Sequence, residues 1–243
     1  MPASLPFVAL HYWAGAGRAF AAVAARLASQ HQLLAPDLPG FGAAPPLEDL
    51  SVDAYADYVA HFIAAQGLAH YGLVGHSMGG KIALALAARQ PEGLAGVILL
   101  SPSPSGPEPM SEADREAALR AYGQRAAAET TLRKITAWPL SGVLQAQIVA
   151  DNLRSHRAAL DAWLRAGSRE NLQTRMAQVA VPCWLLVGER DEVLPPAVHR
   201  AHTLPYLPAD SSLQVITGAG HLLPYEAPEQ VARLLRAFGQ QLG

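Results

Sequence analysis

A single cysteine, Cys183, stands among 243 residues, so no internal disulfide is available to this chain. It sits inside the apolar run Cys183-Trp184-Leu185-Leu186-Val187, where a thiol serves as a small core filler rather than a nucleophile. No apolar stretch approaches the roughly 20 residues needed to span a bilayer. A dominant charge is missing as well: the formal net charge of −2 leaves no electrostatic footprint for nucleic acid or an anionic membrane. There is no C-x-x-C, no H-x-x-x-H and no cluster of carboxylates to suggest a metal. Gly15-Ala16-Gly17 follows a predicted strand, but the third glycine of the dinucleotide fingerprint would fall at Phe20, which argues against nucleotide binding. No cofactor is implied. Met1-Pro2-Ala3-Ser4 lacks the basic start and long apolar core of a signal peptide, so a cytoplasmic location is expected.

What is present is ample for one core, because 51% of the residues are hydrophobic and the length suits a single domain carrying an insertion. Apolar runs of strand length alternate with segments of helical period, the pattern of a parallel sheet with crossover helices. Strands are predicted at Phe7 to Leu10, Leu33 to Pro36, Leu73 to Gly75, Val97 to Leu100, Cys183 to Val187 and Leu213 to Ile216. Helices fit Phe20 to Ser29, Val52 to Gln66, Gly80 to Arg89, Ala197 to Leu204 and Glu229 to Leu242. Ser51 is placed to cap the second helix, whose buried stripe reads Val52, Tyr55, Val59, Phe62 and Ile63.

Three loops carry the chemistry. Gly75-His76-Ser77-Met78-Gly79 falls at a predicted strand-to-helix junction, the setting of a nucleophile elbow. A serine held out on so tight a turn leaves no room for side chains two residues either side, which explains glycine at 75 and 79. Gly188-Glu189-Arg190-Asp191 and Gly218-Ala219-Gly220-His221 each follow a buried-type strand. Strand ends in a parallel sheet share one rim, so Ser77, Asp191 and His221 are expected to converge there.

With His11-Tyr12-Trp13 after the first strand and Asp37-Leu38-Pro39-Gly40-Phe41-Gly42 after the second, the chain resembles the α/β-hydrolase superfamily. The resemblance is to its small bacterial carboxylesterases and C–C hydrolases, and it runs over nearly the whole chain. It implies an α/β-hydrolase fold, with a mostly parallel sheet of about six strands flanked by helices. Only six residues precede Phe7, so the antiparallel hairpin that usually begins the family's sheet is expected to be missing or a stub. The core would comprise residues 1–102 and 175–243. Residues 103–174, which open on Ser101-Pro102-Ser103-Pro104-Ser105-Gly106-Pro107 and then run helix after helix, would form a helical cap. Within it Ser111-Glu112-Ala113-Asp114 reads as a capping-box start, Pro139 and Gly142 punctuate the middle, and helices fit Val143 to Leu153 and Ala158 to Ala166.

The resemblance assigns Ser77 as nucleophile, His221 as its base and Asp191 as the carboxylate that fixes the imidazole tautomer. Glu189 and Glu192 lie beside Asp191. Some members carry the acid after an earlier strand, here Ser101-Pro102-Ser103, where no carboxylate precedes Glu108. His76 is expected to pack beside the serine, and the histidines at 31, 61, 70, 156, 199 and 202 need no catalytic role. The oxyanion hole is expected from the Met78 and Trp13 amides, with Tyr12 as the alternative second donor. Tyr12 stands where the family usually has glycine, and a left-handed backbone there would strain it. Tyr12, Trp138, Leu140 and Trp163 are candidate substrate-binding side chains, with core packing as the competing role.

The expected activity is hydrolysis of a small, largely apolar carboxylic ester through an acyl-enzyme, and the expected partner is that small-molecule substrate. A C–C hydrolase or a menaquinone-pathway lyase would use the same triad on anionic substrates and would favour Arg154, Arg157 or Arg165 pointing inward. A non-catalytic receptor on the same fold is the rival from another class.

Overall fold

The computed structural model describes residues 5–27 and 30–242. Six parallel strands form one sheet in the order β2-β1-β3-β4-β5-β6. They are β1 Phe7–Leu10, β2 Leu33–Leu34, β3 Tyr71–His76, β4 Leu94–Leu100, β5 Cys183–Gly188 and β6 Ser212–Ile216. The helices are α1 Ala21–Leu27, α2 Val52–Ala65, α3 Met78–Ala87, α4 Glu112–Arg120, α5 Arg125–Ile135, α6 Gly142–Arg154, α7 Arg157–Arg165, α8 Pro196–His202, α9 Leu223–Glu226 and α10 Pro228–Leu242. Among the described residues no helix is long and apolar enough to cross a membrane.

Side chains alternate across the strands and so supply two cores. Val8, Leu10, Leu73, Val97, Leu99 and Leu185 pack with α2 and α3 on one face. Phe7, Ala9, Val74, Ile98, Leu100 and Leu186 pack with α1 and α10 on the other. Burial on both faces explains why the central strands read as continuous apolar runs rather than alternating ones. Cys183 lies in this interior, and burial pushes its thiol up to about 12.

Element ends differ from the sequence reading where local chemistry intervenes. The second strand stops at Leu34 rather than Pro36, since proline has no N–H to continue a ladder. The helix expected from Phe20 begins at Ala21, with Gly17–Phe20 forming a 3₁₀ turn before it, and its expected end at Ser29 lies outside the described residues. The third helix begins at Met78 instead of Gly80, because the elbow itself winds directly into the helix. Ser51 caps α2 by accepting the Ala54 N–H. Phe62, expected in the buried stripe, is only half-buried at its edge, and Ala56 takes the inner position.

Between β4 and β5 the chain inserts α4 to α7 and two 3₁₀ turns. Ser111 caps α4 by accepting the Asp114 N–H, and Ser141 caps α6 in the same way through Leu144. Gly123, at φ 71°, separates α4 from α5. The helix α5 escaped separate notice in the sequence because its apolar stripe is short.

Candidate active site

The strand order reverses between β1 and β3, so their carboxyl ends open a crevice at a topological switch point. Ser77 stands at the end of β3 there. Its backbone has φ 52° and ψ −116°, a conformation that costs a non-glycine residue about 1–3 kcal/mol. The neighbours leave no alternative to glycine. A Cβ on Gly79 would come within 2.3 Å of the Leu10 carbonyl oxygen, and one on Gly75 within 2.5 Å of the Gly79 oxygen. The turn is pinned by Ser77 N–H donating to the Leu100 carbonyl at 3.0 Å and by Ser103 N–H donating to the Ser77 carbonyl at 2.9 Å. Met78 opens α3, so its N–H has no carbonyl one turn earlier within the helix.

The loop after β1 is anchored by a buried histidine. His11 Nδ1–H donates to the Tyr12 carbonyl at 2.8 Å, while Nε2 accepts the Leu38 N–H at 2.9 Å. Burial lowers this imidazole to about 4, so it stays neutral and keeps both bonds. The left-handed residue of the loop is Ala14, at φ 62°. Tyr12 therefore escapes the strain that a left-handed backbone at that position would bring. Its ring lies 5.2 Å from the His76 ring and carries 5% exposure, packed beneath Gly15. Gly15 N–H donates to the Tyr12 carbonyl, a turn that leaves the Trp13 N–H outside its own hydrogen bond. The Trp13 indole N–H points to the Leu160 carbonyl of α7 at 3.4 Å. The facing loop is closed by Asp37, whose carboxylate accepts the Gly17 and Ala43 N–H groups at 2.7 and 2.8 Å.

Asp191 follows β5 and His221 follows β6, and the structure brings them together: His221 Nδ1 lies 2.7 Å from Asp191 Oδ2. Both are buried. The other carboxylate oxygen accepts the Val193 and Leu194 N–H groups, each at 2.9 Å. Burial opposes the charge on each partner, yet their mutual attraction wins, raising His221 above and holding Asp191 below their ordinary values. Glu189 is occupied elsewhere, accepting the Gly218 N–H at 2.8 Å. His199, set aside in the sequence reading, is fully buried and donates Nε2–H to the Leu194 carbonyl at 3.1 Å. It thereby braces the Asp191 loop. His76 donates Nε2–H to the His221 carbonyl at 2.8 Å and is lowered by burial to about 3.

The insertion meets this rim through polar joints. Lys81, one turn into α3, is completely buried, and its ammonium donates to the Gly106, Gly167, Ser168 and Glu170 carbonyls at 3.0 to 3.4 Å. Burial brings it down to about 8. Arg18, before α1, pairs with the buried Asp151 at 2.5 and 3.0 Å, while Arg115 ties the insertion to itself, donating to the Leu164 carbonyl and to Ser168. Trp163 is 5% exposed, with its ring against Gly167 and 5.9 Å from the Lys81 ammonium. This position packs the insertion onto the core. Trp138 and Leu140 are half-buried and line a cavity of about 240 Å³ with Leu132 and Gln145. The Trp138 Nε1 stands over Gly218 of the histidine loop. Of the three arginines tied to anionic substrates, Arg157 is paired with Asp161 at 2.8 Å and Arg165 is exposed. Arg154 lines a separate cavity with Arg18, Asp37 and Asp151.

This fold and this rim are those of α/β hydrolases, and a family model described as "Alpha/beta hydrolase family" matches residues 7–234; the chain belongs to that family. Among its relatives is a pimeloyl-[acyl-carrier protein] methyl ester esterase from Chromobacterium violaceum, 33% identical, with 97% of this chain and 93% of that protein covered. A 2-succinyl-6-hydroxy-2,4-cyclohexadiene-1-carboxylate synthase from Escherichia coli is 26% identical, with 79% of this chain and 82% of that protein covered. The solved structure of an esterase from Exiguobacterium antarcticum superposes with a TM-score of 0.90 at 19% identity, with 99% of this chain and 93% of that chain covered. At that identity the likeness concerns the fold alone.

Proposed function

We propose that the protein hydrolyses a carboxylic ester of a small, largely apolar substrate through an acyl-enzyme on Ser77. The observation that carries this reading is the buried Asp191–His221 pair at 2.7 Å, on the same rim as a serine held at positive φ. Asp191 occupies Nδ1 and so directs Nε2 outward as the base. In the first step Ser77 Oγ bonds to the ester carbon while its proton passes to His221 Nε2. The carbonyl becomes an oxyanion, received by the amides of Met78 and Trp13. Collapse expels the alcohol, which takes the proton from Nε2. Water then attacks the acyl-enzyme, its proton moving to the same nitrogen, and the released serine regains it as the acid departs.

Around this centre Trp138 and Leu140 are the proposed substrate-lining side chains at the outer edge, with Trp163 and Tyr12 behind them as walls packed against the core. Helices α4 to α7 serve as a cap. The ester reading is supported by the methyl ester esterase among the relatives. The lyase-like alternative draws on the synthase, but the pairing of Arg157 with Asp161 removes one of the cations it would need. A p-nitrophenyl ester series of rising acyl length tests the proposal. Turnover with a length optimum is expected, and its absence across the series would favour the lyase or a non-catalytic receptor.

A further inference from the structure

Glu226 lies in α9, five residues beyond the proposed base, and is 6% exposed. Its carboxylate meets four backbone amides. Oε2 accepts the N–H groups of Ala137 and Trp138 at 2.8 Å each and of Gly220 at 3.0 Å, while Oε1 accepts that of Leu222 at 3.0 Å. All four of these bonds come from main chain, three of them converging on Oε2. Gly220 and Leu222 flank His221. Ala137 and Trp138 belong to the insertion just after α5. Between the two pairs, His221 N–H donates to the Ile135 carbonyl at 2.9 Å. One side chain thus clasps the histidine loop to the insertion.

We infer that Glu226 is a positioning residue: it holds the His221 backbone in register with the insertion and so fixes the base relative to both Ser77 and the residues proposed to line the substrate. The inference rests on the ester-hydrolase reading above. A joint of this kind acts on the reacting geometry, and a displacement near 1 Å costs roughly a hundredfold in rate. It also acts through charge, because Glu226 faces His221 together with Asp191 after β5, Glu108 at the start of the insertion, His76 of β3 and His199 of α8. Negative charge at 226 favours the imidazolium.

Three variants and one label test it, with purified full-length protein and a p-nitrophenyl ester. Glu226→Gln keeps the size but turns an acceptor oxygen toward the amides as a donor. It is expected to lower kcat by about a hundredfold, with KM within about threefold, and to move the acid limb of kcat/KM to lower pH. Glu226→Asp keeps the charge, so its acid limb should stay with the parent's while kcat recovers in part. Should Glu226→Gln fail to fold, Ala137→Pro removes one insertion-side donor and sets its Cδ where that N–H met the Glu226 carboxylate, breaking the clasp from the insertion side. Thr136 before it is already extended, at φ −115° and ψ 138°, as a residue before proline requires. Ala137→Pro should lower kcat and leave the acid limb in place. A folded Glu226→Gln with the parent's kcat and acid limb, or an Ala137→Pro with the parent's kcat, would overturn the inference. Fluorophosphonate labelling of the parent separates the two levels: an unlabelled parent removes the serine-hydrolase reading and this inference with it. A labelled parent alongside an unaltered Glu226→Gln removes the inference alone.

Discussion

Every residue of β3 is buried, whereas the eleven residues of α5 bury only Ala128 and Leu132. The sheet is fixed by apolar area on both faces, a force that is large and indifferent to direction. The insertion has less of it, and beside the apolar seam at Trp163 it is tied down by directed polar joints: Lys81 to four carbonyls, Glu226 to the Ala137 and Trp138 amides, Arg18 to Asp151. These joints meet the core beside the elbow and the histidine loop. The contrast teaches that change in the sheet threatens folding, whereas change at the joints threatens alignment of the proposed cap with the proposed chemistry.

The largest expected effect lies in the chemistry. Ser77→Ala should fold as the parent does, with an unchanged melting curve, and lose about 10⁴ to 10⁶ in ester turnover. A variant that keeps more than about a tenth of the rate contradicts the assignment of the nucleophile.

Two substitutions probe where the insertion meets the core. Trp163→Ala should cost about 3–5 kcal/mol in denaturant unfolding, the range for deleting a buried aromatic ring. If it instead leaves stability intact and alters acyl preference, Trp163 lines the substrate rather than the seam. Lys81→Met leaves buried carbonyls without a donor and should cost on the order of 3 kcal/mol. Hydrogen exchange then locates the damage: protection is expected to fall first in residues 103–174, and a uniform loss across the sheet would break the distinction between the two regions.

Smaller effects sharpen it. Trp138→Ala should shift the acyl-length optimum while leaving a small acetate ester turned over at the parent's rate, since the ring is half-buried and stands at the outer edge. Equal losses on short and long esters would make Trp138 a packing residue. Activity should rise with pH through a group titrating above the ordinary histidine value. Burial pushes the His221 imidazolium down, but Asp191 outweighs it, and only the neutral ring accepts the serine proton. A flat kcat/KM profile from about pH 5 to 9, in folded protein, would contradict a histidine base.

The same contrast governs what the sequence made legible. Strands buried on both faces leave unbroken apolar runs, and all six were located. Polar residues directly after such runs, Ser77, Asp191 and His221, stood out because a strand end in a parallel sheet has one address. The joints left no comparable trace. Glu226 looks like an acid beside a helix start, and its four partners are main-chain groups with no side-chain signature, two of them some 90 residues away. Lys81 sits in an alanine-leucine helix, and its burial depends on carbonyls contributed by both ends of the insertion. Tyr12 gave a condition rather than an answer, since a sequence does not show which residue of a loop is left-handed; here it is Ala14.

Everything proposed for this site depends on Ser77 being an activated nucleophile. Incubation with a fluorophosphonate, followed by intact mass and peptide mapping, tests it most directly. One adduct is expected, on the peptide containing Ser77, that forms more slowly as the pH falls through the His221 titration and is absent from Ser77→Ala. No adduct, or an adduct on another residue that survives Ser77→Ala, would contradict it.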